Sequence, residues 1–165
     1  MRTCVAFLCT TLAAVAQSSL SGPSLGVIYD AAAQAIRPVW GIPGASTTGK
    51  RIDTGFAITA AAISPAQDYA LAMSADGSLK LVIFTPDGIS IQDVKPAATP
   101  DRMVLSPAGS AAILYYKSAA AVQVVSGLPN SMQAGPQIDI SALPQAPDVF
   151  AISDEIGRAS CRGRV

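Results

Sequence analysis

The feature that most constrains this chain is a spacing. Pro43, Pro86 and Pro129 stand 43 residues apart, twice over, and each is followed by a turn former: Gly44, Asp87 or Asn130. Apolar positions keep the same interval: Ile36, Leu79 and Val122; Val39, Val82 and Val125; Ile28, Leu71 and Leu114; Val27, Ala70 and Ile113. A second mark, Ser64-Pro65 against Ser106-Pro107, recurs after 42 residues, each pair preceded by an aliphatic residue. Ala151-Ile152-Ser153-Asp154 opens the same phrase once more. A period of this size is the mark of a supersecondary unit that is copied and stacked, because one unit cannot bury its apolar face alone.

Within each period the residues read as strands. Ala57 to Ile63 and Met103 to Leu105 lead into the Ser-Pro pairs, and Tyr69 to Met73 and Ala111 to Tyr116 follow as buried strands. Asp76-Gly77 is a hairpin signal, and Ala119-Ala120 fills the corresponding slot. Leu79 to Phe84 and Val122 to Val125 are the return strands. Ile89 to Val94, reached through the Pro86-Asp87-Gly88 turn, and Ile138 to Ile140 complete four-stranded units. Ala60-Ala61-Ala62 and Ala119-Ala120-Ala121 favour helix in isolation, but the repeat register overrides that propensity. The expected fold class is all-β.

Four short strands in about 43 residues is the size of a propeller blade, since WD-type repeats run at about 40–45 residues. On period and strand pattern, residues 25–154 resemble secreted bacterial β-propeller proteins of the broad WD-repeat-like kind. The resemblance implies an incomplete ring of about three blades. The alternative is a β-solenoid; β-sandwich modules need roughly 100 residues each. The chain departs from the family signatures: it has no Trp-Asp, Gly-His or Gly-Gly pair, and Trp40 is its only tryptophan, so no subfamily follows. An open arc leaves sheet edges unpaired, and residues 17–154 expressed alone are expected to be poorly soluble or oligomeric.

Both ends read differently from the middle. Met1-Arg2, the uncharged run Val5 to Ala16 and the small-x-small Ala14-Val15-Ala16 make residues 1–16 an expected signal peptide, cleaved before Gln17. The dense apolar part is too short for a bilayer span, and bulky Leu8 before Cys9 argues against a lipoprotein signal. Residues 155–165, EIGRASCRGRV, resemble the translation of a sequencing adapter, EIGRASCRERV, with Gly163 the single departure. The expectation is that this tail is not native and that the natural frame runs on past Asp154. Residues 17–154 form the repeat domain. They hold seven basic residues against ten aspartates, a net charge of −3, and no cysteine, because Cys4, Cys9 and Cys161 lie in the ends. A secreted segment without disulfides is held together by packing.

Composition also narrows the chemistry. The chain has no histidine and a formal net charge of zero. A Ser-His-Asp triad, a Cys-His pair and His-containing zinc sites are therefore excluded within it, and the electrostatic footprint of a nucleic-acid binder is missing. Asp30, Asp53, Asp68, Asp76, Asp87, Asp93, Asp101, Asp139 and Asp148 are scattered, and Asp76 and Asp87 precede glycines in turns, where aspartate bonds its own backbone. No Asp-x-Asp-x-Asp calcium loop appears. Lys50, Arg51 and Lys95 read as solvated surface. Trp40, Tyr29, Tyr115 and Tyr116 could form a glycan platform, although Tyr29 and Tyr115 share a phase with Ala72 that suggests packing. Ser64-Pro65 and Ser106-Pro107 read as strand terminators, not phosphosites, and Gly41-Ile42-Pro43-Gly44 as a turn without phosphate-loop spacing.

The residues thus name no catalytic group, no metal site and no cofactor. The favoured reading is an exported, secreted or periplasmic, non-catalytic module that binds or scaffolds an extracytoplasmic protein or glycan, with no nucleic-acid partner and no stable membrane span. The alternative is the N-terminal part of a secreted propeller enzyme, a hydrolase, lyase or quinoprotein, whose catalytic residues lie elsewhere. Fold alone does not decide between them.

Overall fold

The computed structural model describes residues 23–154 and a strand at 159–162; the expected signal peptide and most of the expected adapter-derived tail lie outside the described residues. All regular elements among the described residues are β-strands, and no helix there is long and apolar enough to cross a membrane. The fold class is all-β. Among the described residues, four sheets follow one another in chain order. The first holds β1 (Ser24–Asp30), β2 (Ala35–Ile42) and β3 (Ala45–Thr48). The second holds β4 (Ile58–Ile63), β5 (Tyr69–Ser74), β6 (Leu79–Thr85) and β7 (Gly88–Val94). The third holds β8 (Arg102–Leu105), β9 (Ala111–Tyr116), β10 (Ala121–Ser126) and β11 (Gln133–Asp139), and the fourth pairs β12 (Val149–Ile152) with β13 (Ala159–Arg162). Every ladder is antiparallel and joins strands consecutive in the chain. A parallel β-helix would instead pair strands of successive coils, so the solenoid alternative does not describe these sheets.

Alternation along the strands sends successive side chains to opposite faces, and the two middle sheets bury both. In β5 and β6, Tyr69, Leu71, Leu79 and Leu81 face the third sheet and join Ala112, Leu114, Tyr116 and Val125 in one core. Ala70, Ala72 and Val82 face back to Ile36, Val27 and Tyr29 of the first sheet. In β9, Ala111, Ile113 and Tyr115 face forward onto Phe150 and Ile152 of β12. Between sheets, the backbones approach most closely where β4 meets β1 and β8, and where β12 meets β8 and β9.

The turns carry the spacing that the prolines announced. Pro43-Gly44 links β2 to β3, Pro86-Asp87 links β6 to β7, and Pro129 lies in the β10–β11 connection. Counted against the four-stranded sheets, β2, β6 and β10 are the third strands and β1, β5 and β9 the second. Third-strand positions keep the interval of 43: Ile36, Leu79 and Val122 are all buried and all face the next sheet. Second-strand positions do not. Leu71 and Leu114, grouped together by the interval of 43, face each other across one core. Leu71 corresponds instead to Val27 and Ile113, each directed at the following sheet, and Tyr29 corresponds to Met73 rather than to Ala72. The cause is the β5–β6 hairpin, in which Ser74 N–H bonds Ser78 O and leaves three residues in the turn. The β1–β2 and β9–β10 turns hold four, between Asp30 and Ala35 and between Tyr116 and Ala121. One residue more or less reverses the face of everything upstream.

Two strands escape the hydrophobic pattern. All four residues of β3 are exposed, so no alternation marks it. The segment expected at Ile138 to Ile140 is a longer strand, β11, that starts at Gln133 and runs through Pro136. It is an edge strand, and there a proline costs no ladder bond.

Gln34, Gly77 and Ala120, again 43 apart, close the three hairpins with left-handed φ of 48°, 82° and 44°. Only the glycine adopts this without Cβ crowding, a penalty of about 1 kcal/mol for other residues. Ala120→Gly is therefore expected to stabilise the protein by about 0.5–1 kcal/mol in urea denaturation, an increment that reverses sign if the turn is not left-handed in solution.

Tyr69, fully buried, donates its hydroxyl proton to Gly109 O in the β8–β9 turn and ties the second sheet to the third. Burial, aided by the nearby charges of Asp68 and Asp154, pushes its pKa up to about 12. An unfolded tyrosine ionises near 10, so the folded state favours the protonated phenol. The corresponding stability is fully present below pH 10 and is lost as the pH rises from 10 to 12. The urea midpoint is expected to hold steady to pH 9 and fall above 10, and Tyr69→Phe is expected to flatten that fall.

Candidate functional site

The candidate site is an apolar cleft of about 550 Å³ where the first and second sheets splay apart. Leu25 and Val27 of β1, Pro38 and Trp40 of β2, and Phe84 and Ile89 from the β6–β7 hairpin form its walls. The β-branched and aromatic content of those strands follows from their half-buried position on a pleated face. Among the described residues, no charged side chain lines the cleft, and Gln67, Ser24 and Thr85 supply its polar edge. Gln67 is fixed: its Oε1 accepts the Val27 N–H at 2.6 Å and bridges the two sheets. A methyl group on residue 26 would lie 2.7 Å from that oxygen, so glycine is required there for the bridge to form. Residue 49 is constrained in the same way, since a Cβ there would meet Trp40 Nε1 at 2.5 Å. Trp40 is 36% exposed, and its indole N–H has no hydrogen-bond partner among the described residues. The volume falls in the range of small-molecule sites, and uncharged apolar walls with a few fixed polar groups suit a neutral ligand with an apolar or ring-shaped face.

The four aromatic candidates separate here. Tyr29 donates its hydroxyl proton to Ile58 O at 2.9 Å, Tyr115 packs its ring 4.7 Å from that of Phe150, and Tyr116 donates to Gln123 Oε1 at 2.7 Å. The first two join neighbouring sheets, and the third links β9 to β10 within the third sheet. Trp40 alone borders the cleft. Leu25, Pro38, Phe84 and Gln67 carry no mark in the sequence as site residues; their common feature is spatial, because they come from four different elements, β1, β2, β6 and the β4–β5 turn.

The aspartates are engaged in turns, ion pairs and links between distant parts of the chain. Asp30 accepts from Ala32 N and Ala33 N, both at 3.1 Å, and pairs with Arg37 at 3.0 Å. Asp53 accepts from Gly55 N, Asp76 from Ser78 N, Asp139 from Ser141 N and Asp101 from Lys117 N. Asp68 accepts the Ser64 hydroxyl proton, Asp93 holds Lys80 at 2.7 Å, and Asp154 accepts from Ala108 N and the Ser110 hydroxyl. The hydrogen bonds hold four carboxyls below their ordinary value: Ala33 N–H and then Arg37 for Asp30, Ser78 for Asp76, Ser141 for Asp139, and the Ser106 hydroxyl for Asp154. A general acid needs the opposite shift. Among the described residues, no cluster of three or more His, Cys, Asp or Glu side chains could hold a metal ion.

Ser64 and Ser106 are buried and receive backbone N–H groups of the turns they open, Asp68 and Tyr69 in one case and Ala111 in the other. Lys50, Arg51 and Lys95 are exposed; Arg51 and Asp53 border a second, more polar cleft of about 410 Å³ beside the β3–β4 connection. Gly41 to Gly44 form the end of β2 and the turn into β3. No protein-family model and no curated protein matches the chain.

Proposed function

We propose that this chain is an arc of β-propeller-like blades, exported from the cytoplasm, that acts as a non-catalytic binding module for an uncharged protein segment or glycan. The architecture reading is supported by the way the sheets meet: each meander approaches the next near one edge, β4 against β1 and β8, and β12 against β8 and β9. Radial convergence of successive meanders suits a propeller. The observation that carries the binding role is the cleft itself, an open apolar groove rimmed by fixed polar groups and bordered by Trp40.

Trp40 makes the proposal directly measurable, because it is the only tryptophan and its emission reports the cleft alone. Titration with neutral oligosaccharides of cello-, chito- and malto- type, and with uncharged proline-containing peptides, is expected to give a saturable emission shift for one of the two classes. Trp40→Phe, which keeps the packing, is expected to weaken the affinity of that class by about tenfold, the scale of one lost aromatic anchor. Emission unchanged by every probe, together with no heat of binding in calorimetry, would sink the binding role of the cleft.

A further inference from the structure

We propose that β7 is a strand-addition site, whose free edge takes up an extended segment of a protein partner in antiparallel pairing. The segment carries a basic residue and then apolar residues at the next two alternate positions. This rests on the binding role of the cleft, because Ile89 belongs to both, and it names the partner as a peptide. The last strands of the first three sheets, β3, β7 and β11, are all edges. Two of them are guarded: β3 is four residues long, and β11 carries Pro136 and a register shift against β10. Short length, proline and bulges are devices that keep an edge from pairing. β7 has none of them. Its seven residues pair with β6 in unbroken register, and they include neither proline nor lysine.

The hydrogen bonds fix which groups of β7 are free. Phe84 N–H bonds Asp68 O at 2.8 Å, so the Phe84 backbone is directed at β5, and by alternation so are those of Val82 and Lys80. Their partners on β7, Ile89, Ile91 and Asp93, therefore turn N–H and C=O outward, away from β6. An antiparallel strand offers acceptors and donors at that spacing. Side chains make the edge selective. Ile89, Ile91 and Asp93 share the face of Phe84, Val82 and Lys80, which is directed at the first sheet. Ile91 is 39% exposed and Ile89 lines the Trp40 cleft, so apolar residues suit the positions opposite them. The Asp93 side chain is 71% exposed; its Oδ1 holds Lys80, and its Oδ2 accepts no hydrogen bond among the described residues. A basic residue opposite Asp93 completes the match in charge.

Calorimetry on the full chain with the peptide acetyl-Thr-Lys-Thr-Val-Thr-Val-Thr-amide tests this, with Trp40 emission followed in parallel. Saturable binding with an emission shift is expected. N-methylation of the central valine, whose N–H faces β7 in the proposed pairing, is expected to weaken binding about tenfold. N-methylation of the threonine before it, whose N–H points away, is expected to change binding by less than about twofold. Asp93→Asn is expected to weaken the lysine peptide about threefold and to leave a glutamine analogue unchanged. Ile91→Pro removes an N–H that makes no ladder bond, and with its fold checked by circular dichroism it is expected to weaken binding about tenfold. If that variant does not fold, the two methylated peptides decide alone. Equal affinity for those two peptides, or no binding of the parent peptide while a glycan shifts Trp40 emission, would overturn strand addition and leave the role of the cleft standing. Discriminated binding with unchanged emission would overturn the shared site, and silence from every probe would overturn both readings.

Discussion

Leu71→Ala is expected to lower the free energy of unfolding by about 3–5 kcal/mol. Leu71 is 0% exposed and sits between the second and third sheets among Leu79, Leu81 and Leu114. Its removal leaves a void bounded by two stiff sheets, which cannot close over it as a loop would. Ile28→Ala, at a position that the interval of 43 equates with Leu71, is expected to cost under about 1 kcal/mol, because that side chain faces outward and loses little buried area. Urea unfolding followed by Trp40 emission measures both. Equal losses at the two positions would show that the face assignment of β1 and β5 is wrong.

Gln123→Ala is expected to cost about 3 kcal/mol, an unusual penalty for truncating a glutamine. The side chain is 5% exposed, yet it is satisfied on every side. Its Oε1 accepts from the Tyr116 hydroxyl at 2.7 Å and from Ala97 N at 3.0 Å, while Nε2 donates to Gly135 O at 2.8 Å. The alanine variant leaves two donors and an acceptor without their partner, and of these the Tyr116 hydroxyl belongs to a fully buried residue. Gln123→Leu, which refills the volume, is expected to recover less than half the loss, because packing repairs the void and leaves those groups unpaired. Full recovery by leucine would show that the site matters for its shape and not for its hydrogen bonds.

Much of this fold is legible in the chain before any coordinates. Strands β5 and β9 coincide with their apolar runs to within a residue, because each is buried on both faces and reads as a continuous hydrophobic stretch. The largely exposed β11 instead starts five residues before the segment expected. The prolines mark the turns before the last strands. What misleads is parity. A period of 43 in the third strands coexists with one of 42 between Ser64 and Ser106, and a single residue in the β5–β6 turn decides which way Leu71 points. The cleft was less legible. Trp40 stands out by its rarity, but Gln67 and Phe84 reach it from elements separated along the chain, and no local spacing encodes that meeting. Arg37, Lys80 and Gln123 stand 43 apart, yet three different chemistries do not announce their common place on β2, β6 and β10. An ion pair with Asp30, a contact with the Phe56 ring and a hydrogen-bond cluster engage them there.

The strictly sequential strand pairing bears on how such a chain could be made. When each strand bonds only to its immediate neighbours, a growing polypeptide never has to wait for a distant segment. The second sheet can be finished once Val94 has emerged, before the first residue of β8 exists outside the tunnel. Each completed layer then presents a preformed apolar floor on which the next is laid. Loop-closure entropy stays small throughout, so vectorial synthesis delivers the layers in the order in which they dock.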